Sequence, residues 1–408
     1  MVRDQGILKD LRVLDLSRVL AGPFATMALG EMGARVVKVE NVSAGDETRG
    51  WGPPFVAGES AYYLAFNRNK ESIALDLSKD KAQEVVRHLA LSWADIIVEN
   101  FRPGMLERFN LGLEEMRKQQ PQLITASVRG YPQGDDRPGY DFVMQGIGGL
   151  MSITGPKDGG AYKVGVAVVD LFAGSFLLSG ILAALRERDQ TGMGQHLSVS
   201  LFESELTMLA NVASAYLITG RRPDRHGNGH PQLAPYDVFE CSDGLITIGV
   251  GNDRQFLQLA EILDHREWAT DERFATNARR VTNREALSEA MNTVLGRKTG
   301  AEWLTKLTAS KVPCGPIRSI EEVFGSPEAH RADAVVYLDH PKVGRLPQVR
   351  FPWRFSRSEI RPRKAPPLHG QHTLKLLKEA QFSAEEIDQI LRAGTAFQSS
   401  IDYTEGRE

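Results

Sequence analysis

Apolar and polar residues follow two alternating patterns over the first two hundred positions. Short apolar runs predict buried strands at residues 11–16, 35–40, 72–77, 95–99 and 123–128. Apolar residues at helical spacing separate these runs and predict helices at residues 24–32, 79–91, around Arg108, and from Asp170 to Arg186. Strands that alternate with helices indicate a doubly wound, mostly parallel α/β sheet. Such sheets bind ligands beyond the carboxyl ends of their strands, which here are residues 17–23, 41–51, 100–104 and 130–141.

The pattern changes after residue 218. Residues 219–235, TGRRPDRHGNGHPQLAP, are rich in Gly, Pro and Arg and predict a linker or active-site loop. A hairpin pattern at residues 236–251 is followed by helical patterns, so residues 236–330 are expected to form a smaller α+β domain. The remaining tail has too little apolar surface for a core of its own. Residues 1–218 and 331–408 are therefore expected to form one large domain.

Composition narrows the class of protein. The chain has 408 residues, of which 42% are hydrophobic and 25% charged, as in ordinary globular enzymes. Its net charge of −3 gives no electrostatic attraction to nucleic acid. Cys241 and Cys314 form neither a disulfide framework nor a metal-ligand spacing, which predicts a reducing compartment and no metal. The charged start resembles no secretory signal, so we expect a cytoplasmic protein, or a mitochondrial matrix protein if the sequence is a processed form.

A single carboxylate, Asp170, interrupts the apolar stretch GVAVVDLFAGSFLLSGILAALR at residues 165–186. Aspartate at this point either caps the helix that follows or carries out chemistry. Small neighbours, Gly165, Ala167 and Gly174, leave room for a bulky ligand. The apolar helix before Arg186 is about 15 residues long, which predicts a core helix rather than a membrane span of about 20 residues.

Several further segments, together with Asp170, resemble the class III CoA-transferase family, the CaiB/BaiF type. They appear in the family's order over nearly the whole chain: LDLSRVLAGPFATMALGEMGARVVKVE, GDETRGWG, NRNKESIALDL, VENFRPGMLERFNLG, GYDFVMQGIGGLMSITG, VPCGPI and PPLHGQHT. The stretch TRGWGPPFVAGESAYYLAFNRNKESIA is most similar to the family's succinate–hydroxymethylglutarate branch, which accepts glutarate. The resemblance implies a Rossmann-like large domain built from both chain ends, a smaller α+β domain, and an interlocked homodimer.

The resemblance also implies a reaction. Asp170 would attack an acyl-CoA, with succinyl-CoA as donor, and form a mixed anhydride and then an aspartyl-CoA thioester. A free dicarboxylic acid of the glutarate type would accept the CoA. The helix N-terminus is expected to keep Asp170 ionised. CoA is then a substrate, no cofactor is permanently bound, and neither a membrane nor nucleic acid is a partner.

Position by position, the resemblance implies CoA contacts from Leu20, Ala21, Asn41, Leu75, Asp76, Leu77, Ser78, Asn100, Phe101, Arg108 and Tyr140. Arg108 is the charged member suited to a phosphate. Asn41 and Ser78 stand where formyl-CoA transferase has an arginine and a lysine.

The resemblance implies fewer contacts for the acyl group and the acceptor than for CoA. Trp51 and Tyr62 match positions near the acyl group. The candidates for binding the acceptor's distal carboxylate are Arg18, Arg49, His226 and His230. The sequence HGNGHP replaces the glycine-rich lid of formyl-CoA transferase, which argues against an oxalate-type pocket.

Three alternatives stay open at this stage. The chain could transfer CoA to oxalate or to another carboxylate. It could also be a racemase of 2-methylacyl-CoA, but Tyr140 replaces the histidine of that enzyme's Gly-His-Asp motif, and a tyrosine with a pKa near 10 is a poor base. A non-catalytic acyl-CoA-binding protein would not need Asp170. Hydrolysis of acyl-CoA is an expected side reaction if water reaches the anhydride.

Overall fold

The computed structural model describes residues 6–400, which pack as two compact units. The first unit comprises residues 6–149, 165–213 and 331–400, and the second comprises residues 150–164 and 214–330. Residues 150–164, which were expected in the large domain, thus pack with the second unit. Residues 1–5, which belong to the segment used to predict the location of the protein, and residues 401–408 of the tail lie outside the described residues.

The first unit is built on a mostly parallel sheet. The strands of the first unit are β1 (Arg12–Asp15), β2 (Arg35–Asn41), β3 (Phe55–Val56), β4 (Glu59–Ser60), β5 (Lys70–Leu75), β6 (Ile96–Glu99), β7 (Ile124–Arg129), β8 (His196–Ser200), β12 (Val335–His340), β13 (Gly344–Val349) and β14 (Ala396–Phe397). The strands of the second unit are β9 (Tyr236–Cys241), β10 (Gly244–Gly249) and β11 (Cys314–Pro316). The main sheet has the order β14-β5-β2-β1-β6-β7-β8. Every pair in it is parallel except β14 with β5. The predicted α/β class is confirmed.

Helices cover both faces of this sheet. The helices of the two units are α1 (Ala21–Glu31), α2 (Ala61–Phe66), α3 (Asp80–Ser92), α4 (Met105–Arg108), α5 (Leu113–Gln119), α6 (Asp141–Ile147), α7 (Leu150–Ile153), α8 (Val168–Thr191), α9 (Leu201–Met208), α10 (Ala210–Thr219), α11 (Asp253–Ile262), α12 (Asn277–Thr282), α13 (Arg284–Leu295), α14 (Gly300–Ala309), α15 (Ile320–Phe324), α16 (Pro327–Arg331), α17 (Thr373–Glu379) and α18 (Ala384–Arg392). Helices α7 and α11–α15 lie in the second unit.

Successive strand residues enter two different cores, which explains the continuous apolar runs. Val13 and Ile96 pack with α1 and α8 on one face, and their neighbours Leu14 and Ile97 pack with α3, α17 and α18 on the other. The tail contributes Leu376 to the second of these cores. Strand β14 pairs with β5 at the sheet edge, so the tail completes the first unit and forms no separate core.

Helix α8 is longer than its apolar run predicts. It spans 24 residues and continues through charged residues to Gly192, whose φ of 71° ends it in the left-handed conformation. The length argument against a membrane span was therefore wrong, because this helix is long and apolar enough to cross a bilayer by length and composition. Its buried face, including Leu177 and Ile181, packs in the core beside α1 and the sheet, as expected of a core helix.

The second unit has its own core around the three-stranded sheet β11-β10-β9. The predicted hairpin is confirmed by the antiparallel pairing of β9 with β10. The predicted helices are confirmed as α11, α13 and α14.

The order of the main sheet identifies where a ligand is expected. From β1 the chain proceeds to β2 and β5 on one side, and then returns to β6, β7 and β8 on the other. The switch point therefore lies between β1 and β6, and the loops at their carboxyl ends diverge and leave a crevice there.

Candidate active site

A cavity of about 400 Å³ lies at this switch point, within the first unit. Its wall consists of residues 18–21 after β1, Glu47 after β2, residues 100–103 and Met105 after β6, residues 128–130 and 135–140 around the end of β7, Asp170 and Leu201. The volume lies within the ~300–1,000 Å³ range typical of small-molecule sites. Three of the four strand exits predicted from the sequence thus meet beside Asp170, and the fourth contributes Glu47.

Asp170 lies in the first turn of α8 and is not the residue that caps it. The N-cap position is Ala167, and the carboxylate that accepts the helix N–H groups is Asp141. Asp141 Oδ1 accepts hydrogen bonds from the backbone N–H groups of Val169 at 2.8 Å and Asp170 at 3.3 Å. Its other oxygen accepts a 2.6 Å hydrogen bond from Gln145 Nε2. The capping interpretation of Asp170 is therefore wrong.

The side chain of Asp170 forms no hydrogen bond or ion pair with residues 6–400, although it is largely withdrawn from water. Burial raises its pKa to about 7, and the negative charge of Asp141 contributes to the same shift. This is opposite to the effect expected from a helix N-terminus, because Asp141 already occupies the N–H groups that would stabilise the carboxylate. A strongly perturbed carboxylate in a cleft is typical of a catalytic group.

The loop between β1 and α1 is held in a strained conformation at the cavity. Val19 has a φ of 70°, which is unfavourable for a β-branched residue. The Asn100 amide fixes the preceding residue, accepting from Arg18 N at 2.9 Å and donating to Arg18 O at 2.8 Å. The buried Lys38 donates to Ser17 O at 2.7 Å and pairs with Asp46 at 2.8 Å. Strain maintained by surrounding contacts is common at functional sites.

Helix α1 begins beside α8, and a glycine makes that approach possible. A Cβ atom added to Gly174 would lie 2.6 Å from the carbonyl oxygen of Ala21. Gly174 is one helical turn after Asp170, so this packing brings the start of α1 to the nucleophile candidate. No side chain caps α1, and the N–H groups of Leu20 and Ala21 have no partner in the described part of the chain.

Gly174→Ala should therefore damage the site by separating the two helices. We expect a loss of about 1–3 kcal/mol in the free energy of unfolding, because the added methyl group meets backbone. Urea unfolding of the variant measures this loss, and Ser179→Ala at an exposed position of the same helix serves as the control. An unchanged unfolding curve for Gly174→Ala would contradict the close approach.

The structure brings seven of the predicted site residues together. In the cavity wall lie Arg18, Leu20, Ala21, Asn100, Phe101, Tyr140 and Asp170. Trp51 and Tyr62 are close by, with ring centroids 5.1 Å apart. Burial and the charge of Asp170 raise the pKa of Tyr62, so this ring lies within the electrostatic field of the nucleophile candidate.

Other predicted CoA contacts lie at the carboxyl ends of β2 and β5, outside the cavity. Asn41 Oδ1 accepts hydrogen bonds within its own turn, including Ser43 N at 2.9 Å. Leu75 is fully buried in the core, so its side chain cannot contact a ligand. The Asp76 carboxylate accepts a hydrogen bond from the backbone N–H of Ser78 at 3.1 Å. The side chain of Leu77 packs against the core. Arg108 is exposed at the end of α4 and does not reach the cavity wall.

Arg49 is not available for a substrate carboxylate. It makes two hydrogen bonds of 2.7 and 2.8 Å to the buried Glu40. It also donates to Tyr63 Oη at 2.6 Å and to Pro367 O at 3.1 Å. Desolvating such a pair is costly unless its donors are satisfied, as they are here. The structure therefore corrects the prediction for Arg49 to a structural role.

His226 and His230 belong to the second unit. Burial and the positive charge of Arg284 lower the pKa of His226. The ring of His230 lies 5.2 Å from that of Tyr236, and its Nδ1 accepts Gln232 N at 3.0 Å. Their role in binding the acceptor stays a prediction.

Four site residues were missed although they occupy the predicted loops or their immediate borders. Arg102 makes no side-chain hydrogen bond or ion pair within the described range. Arg129 pairs with the buried Glu99 at 2.7 Å, and Glu47 pairs with Arg18 at 2.9 Å. Asp141 was considered only as part of a racemase motif. Their location at strand exits was the available signal.

Among the described residues, no group of three His, Cys, Asp or Glu could hold a metal ion.

Comparisons with known proteins show what the whole chain is similar to. The model of CoA-transferase family III matches residues 8–373. The chain is 40% identical to human succinyl-CoA:glutarate CoA-transferase, over 96% of this chain and 90% of that protein. It is 41% identical to a succinate–glutarate CoA-transferase of Agrobacterium fabrum, over 92% of this chain and 96% of that protein. A CaiB/BaiF family protein from Brucella suis superposes with a TM-score of 0.82 at 39% identity, covering 92% of this chain and all of that one.

Proposed function

The chain belongs to CoA-transferase family III, and from this premise we propose that it moves CoA from succinyl-CoA to a free dicarboxylic acid of the glutarate type. The observation that carries the proposal is the unpartnered carboxylate of Asp170 in the cavity at the sheet's switch point. The names of the human and Agrobacterium relatives support the substrate pair. No feature of the site favours the racemase or the non-catalytic alternative.

The first half of the reaction removes CoA from the donor. An oxygen of Asp170 attacks the thioester carbonyl, the C–S bond breaks, and a mixed anhydride and free CoA thiolate form. The thiolate then attacks the aspartyl carbonyl of the anhydride. The donor leaves as a carboxylate, and Asp170 becomes a thioester of CoA.

The second half repeats these steps with the acceptor. A carboxylate oxygen of the acceptor attacks the aspartyl thioester and releases the thiolate, which leaves an anhydride between Asp170 and the acceptor. The thiolate attacks the acceptor's acyl carbon, and the C–O bond to Asp170 breaks. This regenerates the aspartate carboxylate and yields the new acyl-CoA without net uptake or release of a proton.

The raised pKa of Asp170 suits both roles of this side chain. A carboxylate with a pKa of about 7 is more basic than an ordinary aspartate, and it is still substantially ionised near neutral pH. The N–H groups of Leu20 and Ala21 at the uncapped start of α1 are suited to stabilise the oxyanion of each tetrahedral intermediate.

The CoA chain would follow the exits of β1, β6 and β7. Arg102 supplies an unpaired cation for its phosphates, a role the sequence had suggested for Arg108.

The cytoplasmic location and the homodimer stay predictions. Exposed aromatic side chains of the first unit, Phe142 on α6 with Phe172 and Phe176 on α8, support a second copy as partner.

An acceptor screen tests the proposed function. Purified protein is incubated with succinyl-CoA and equal amounts of glutarate, hydroxymethylglutarate, adipate, itaconate, citramalate, mesaconate, oxalate or carnitine. New acyl-CoA products are separated by chromatography. Glutarate or a glutarate-like diacid should give the highest kcat/KM. Preference for oxalate or for a monocarboxylate would overturn the substrate assignment, and absence of transfer to every acid would overturn the reaction.

A further inference from the structure

Arg18 and Glu47 form an ion pair in the wall of the Asp170 cavity. Arg18 Nη1 lies 2.9 Å from Glu47 Oε1, and each side chain is 42% exposed. The guanidinium lies 5.4 Å from the centre of the Phe101 ring. Its Nε atom is buried and has no hydrogen-bond partner in the described structure. The pair thus holds a cation beside the reaction site with part of its donor capacity unused.

The fold does not need this ion pair. Exposed pairs contribute about 0–1 kcal/mol to stability. The backbone of Arg18 is already fixed by Asn100, and the turn that contains Glu47 is fixed by the side chain of Asp46, which accepts Thr48 N at 3.0 Å. Removing either charged side chain leaves both backbone segments with their own contacts.

Two other arginines of the cavity wall are bound more firmly to partners within the protein than Arg18 is. Arg129 is bound to the fully buried Glu99 and to the carbonyl oxygen of Phe101. Arg137 is bound through two nitrogen atoms to Asp135, two residues away. Both are therefore committed to contacts within the protein, whereas the guanidinium of Arg18 makes a single side-chain hydrogen bond, to the partly exposed carboxylate of Glu47.

We propose that Arg18 binds the distal carboxylate of the dicarboxylic acid, and that Glu47 occupies Arg18 until the acid arrives. This inference rests on the proposed function and names the residue that selects diacids. Exchanging one carboxylate for another preserves the charge balance of the guanidinium. A monocarboxylic acid offers no replacement for Glu47, so it gains nothing from Arg18.

A phosphate of CoA is the other anion that Arg18 could meet. Arg102, in the same wall and without a carboxylate partner, is the better site for it because no internal ion pair has to be broken. The two possibilities give different results when acid and CoA are measured separately.

The experiment compares Arg18→Gln, Glu47→Gln and Arg102→Gln in the full-length protein, with Lys118→Gln as the control that removes an exposed ion pair elsewhere. For each protein, kcat/KM is measured with glutarate and with its monomethyl ester, and calorimetry gives the Kd of free CoA. Arg18→Gln should lower kcat/KM for glutarate about 10- to 100-fold, as loss of a charged hydrogen bond does, and leave the Kd of CoA within about twofold. Glu47→Gln should lower the KM for glutarate several-fold because the competing carboxylate is gone.

Three results would overturn the inference. Arg18→Gln could weaken CoA as strongly as Arg102→Gln does, which would assign Arg18 to a phosphate. It could reduce activity with glutarate and with the ester equally, or it could lower only the melting temperature, which would make the pair structural. Failure of the proposed function looks different, because the wild-type protein itself would then transfer no CoA to any acid.

Discussion

Asp170→Asn should abolish CoA transfer and make the folded protein more stable at alkaline pH. The amide has nearly the same shape as the carboxylate but cannot form the anhydride. Removal of a covalent nucleophile typically costs at least about 10⁴-fold in kcat. Product formation from succinyl-CoA and glutarate measures this loss. Asp189→Asn, on an exposed turn near the other end of α8, is the matched control and should retain full activity.

The effect of Asp170→Asn on stability has a definite sign. The pKa of Asp170 is raised from 3.8 to about 7 in the folded protein, so folded chains bind more protons than unfolded chains between these values. Ionisation of Asp170 therefore opposes folding. This penalty to stability is absent below pH 3.8, grows between the two pKa values and is complete above pH 7. The stability gained by the Asn variant should be larger at pH 8.5 than at pH 5.5, by about 1–2 kcal/mol.

Urea unfolding at both pH values measures this difference. A stability gain that does not change with pH would show that the pKa of Asp170 is not raised. Full transfer activity in the Asn variant would reject the covalent mechanism itself.

Asp141→Asn should shift the pH dependence of transfer and reduce its rate. The carboxylate of Asp141 contributes to the raised pKa of Asp170, so an uncharged amide should lower that pKa. The rising limb of kcat/KM, which reports ionisation of the free enzyme, should move down by about one pH unit. The weaker nucleophile and the altered contact with Gln145 should together lower the rate above pH 8 by about 10-fold or more.

Asp141→Ala separates the electrostatic role of this residue from its structural role. Both variants remove the charge, but Ala also leaves the N–H groups of Val169 and Asp170 without their acceptor. Loss of a helix cap costs about 1 kcal/mol of stability, so Asp141→Ala should unfold at lower urea concentration than Asp141→Asn. If both variants kept the wild-type pH profile, Asp141 would have no influence on the nucleophile.

Much of the first unit was predictable because its strands and helices follow local patterns. The apolar runs at β1, β2 and β6 are buried on both faces, which leaves a strong signal. The prediction placed strand β5 two residues too late in the sequence. The reason is that Leu77 continues the apolar pattern, whereas Asp76 and Ser78 form a turn. The end of α8 was missed because charged residues at its end are helical without being apolar.

The candidate site was predictable in place but only partly in its members. Residues at strand exits converge in any doubly wound sheet, so Asp170, Asn100 and Phe101 could be expected near one another. The CoA contacts that the resemblance placed at the ends of β2 and β5 lie outside the cavity. Arg102 lies within the predicted loop 100–104 but was not distinguished from its neighbours, because exposure and lack of a partner are not visible in a sequence.

By itself, the amino-acid sequence determined the order of strands and helices, the loops that approach each other, and the carboxylate suited to covalent chemistry. These follow from local periodicity and residue type. Only the tertiary structure decided which charges are free and which are neutralised. Arg49 is bound to Glu40, Arg18 keeps unused donors, and Asp141 changes the proton affinity of Asp170. The physical reason is that Coulomb energy and desolvation depend on distances across the fold, which residues remote in sequence acquire only when the chain packs.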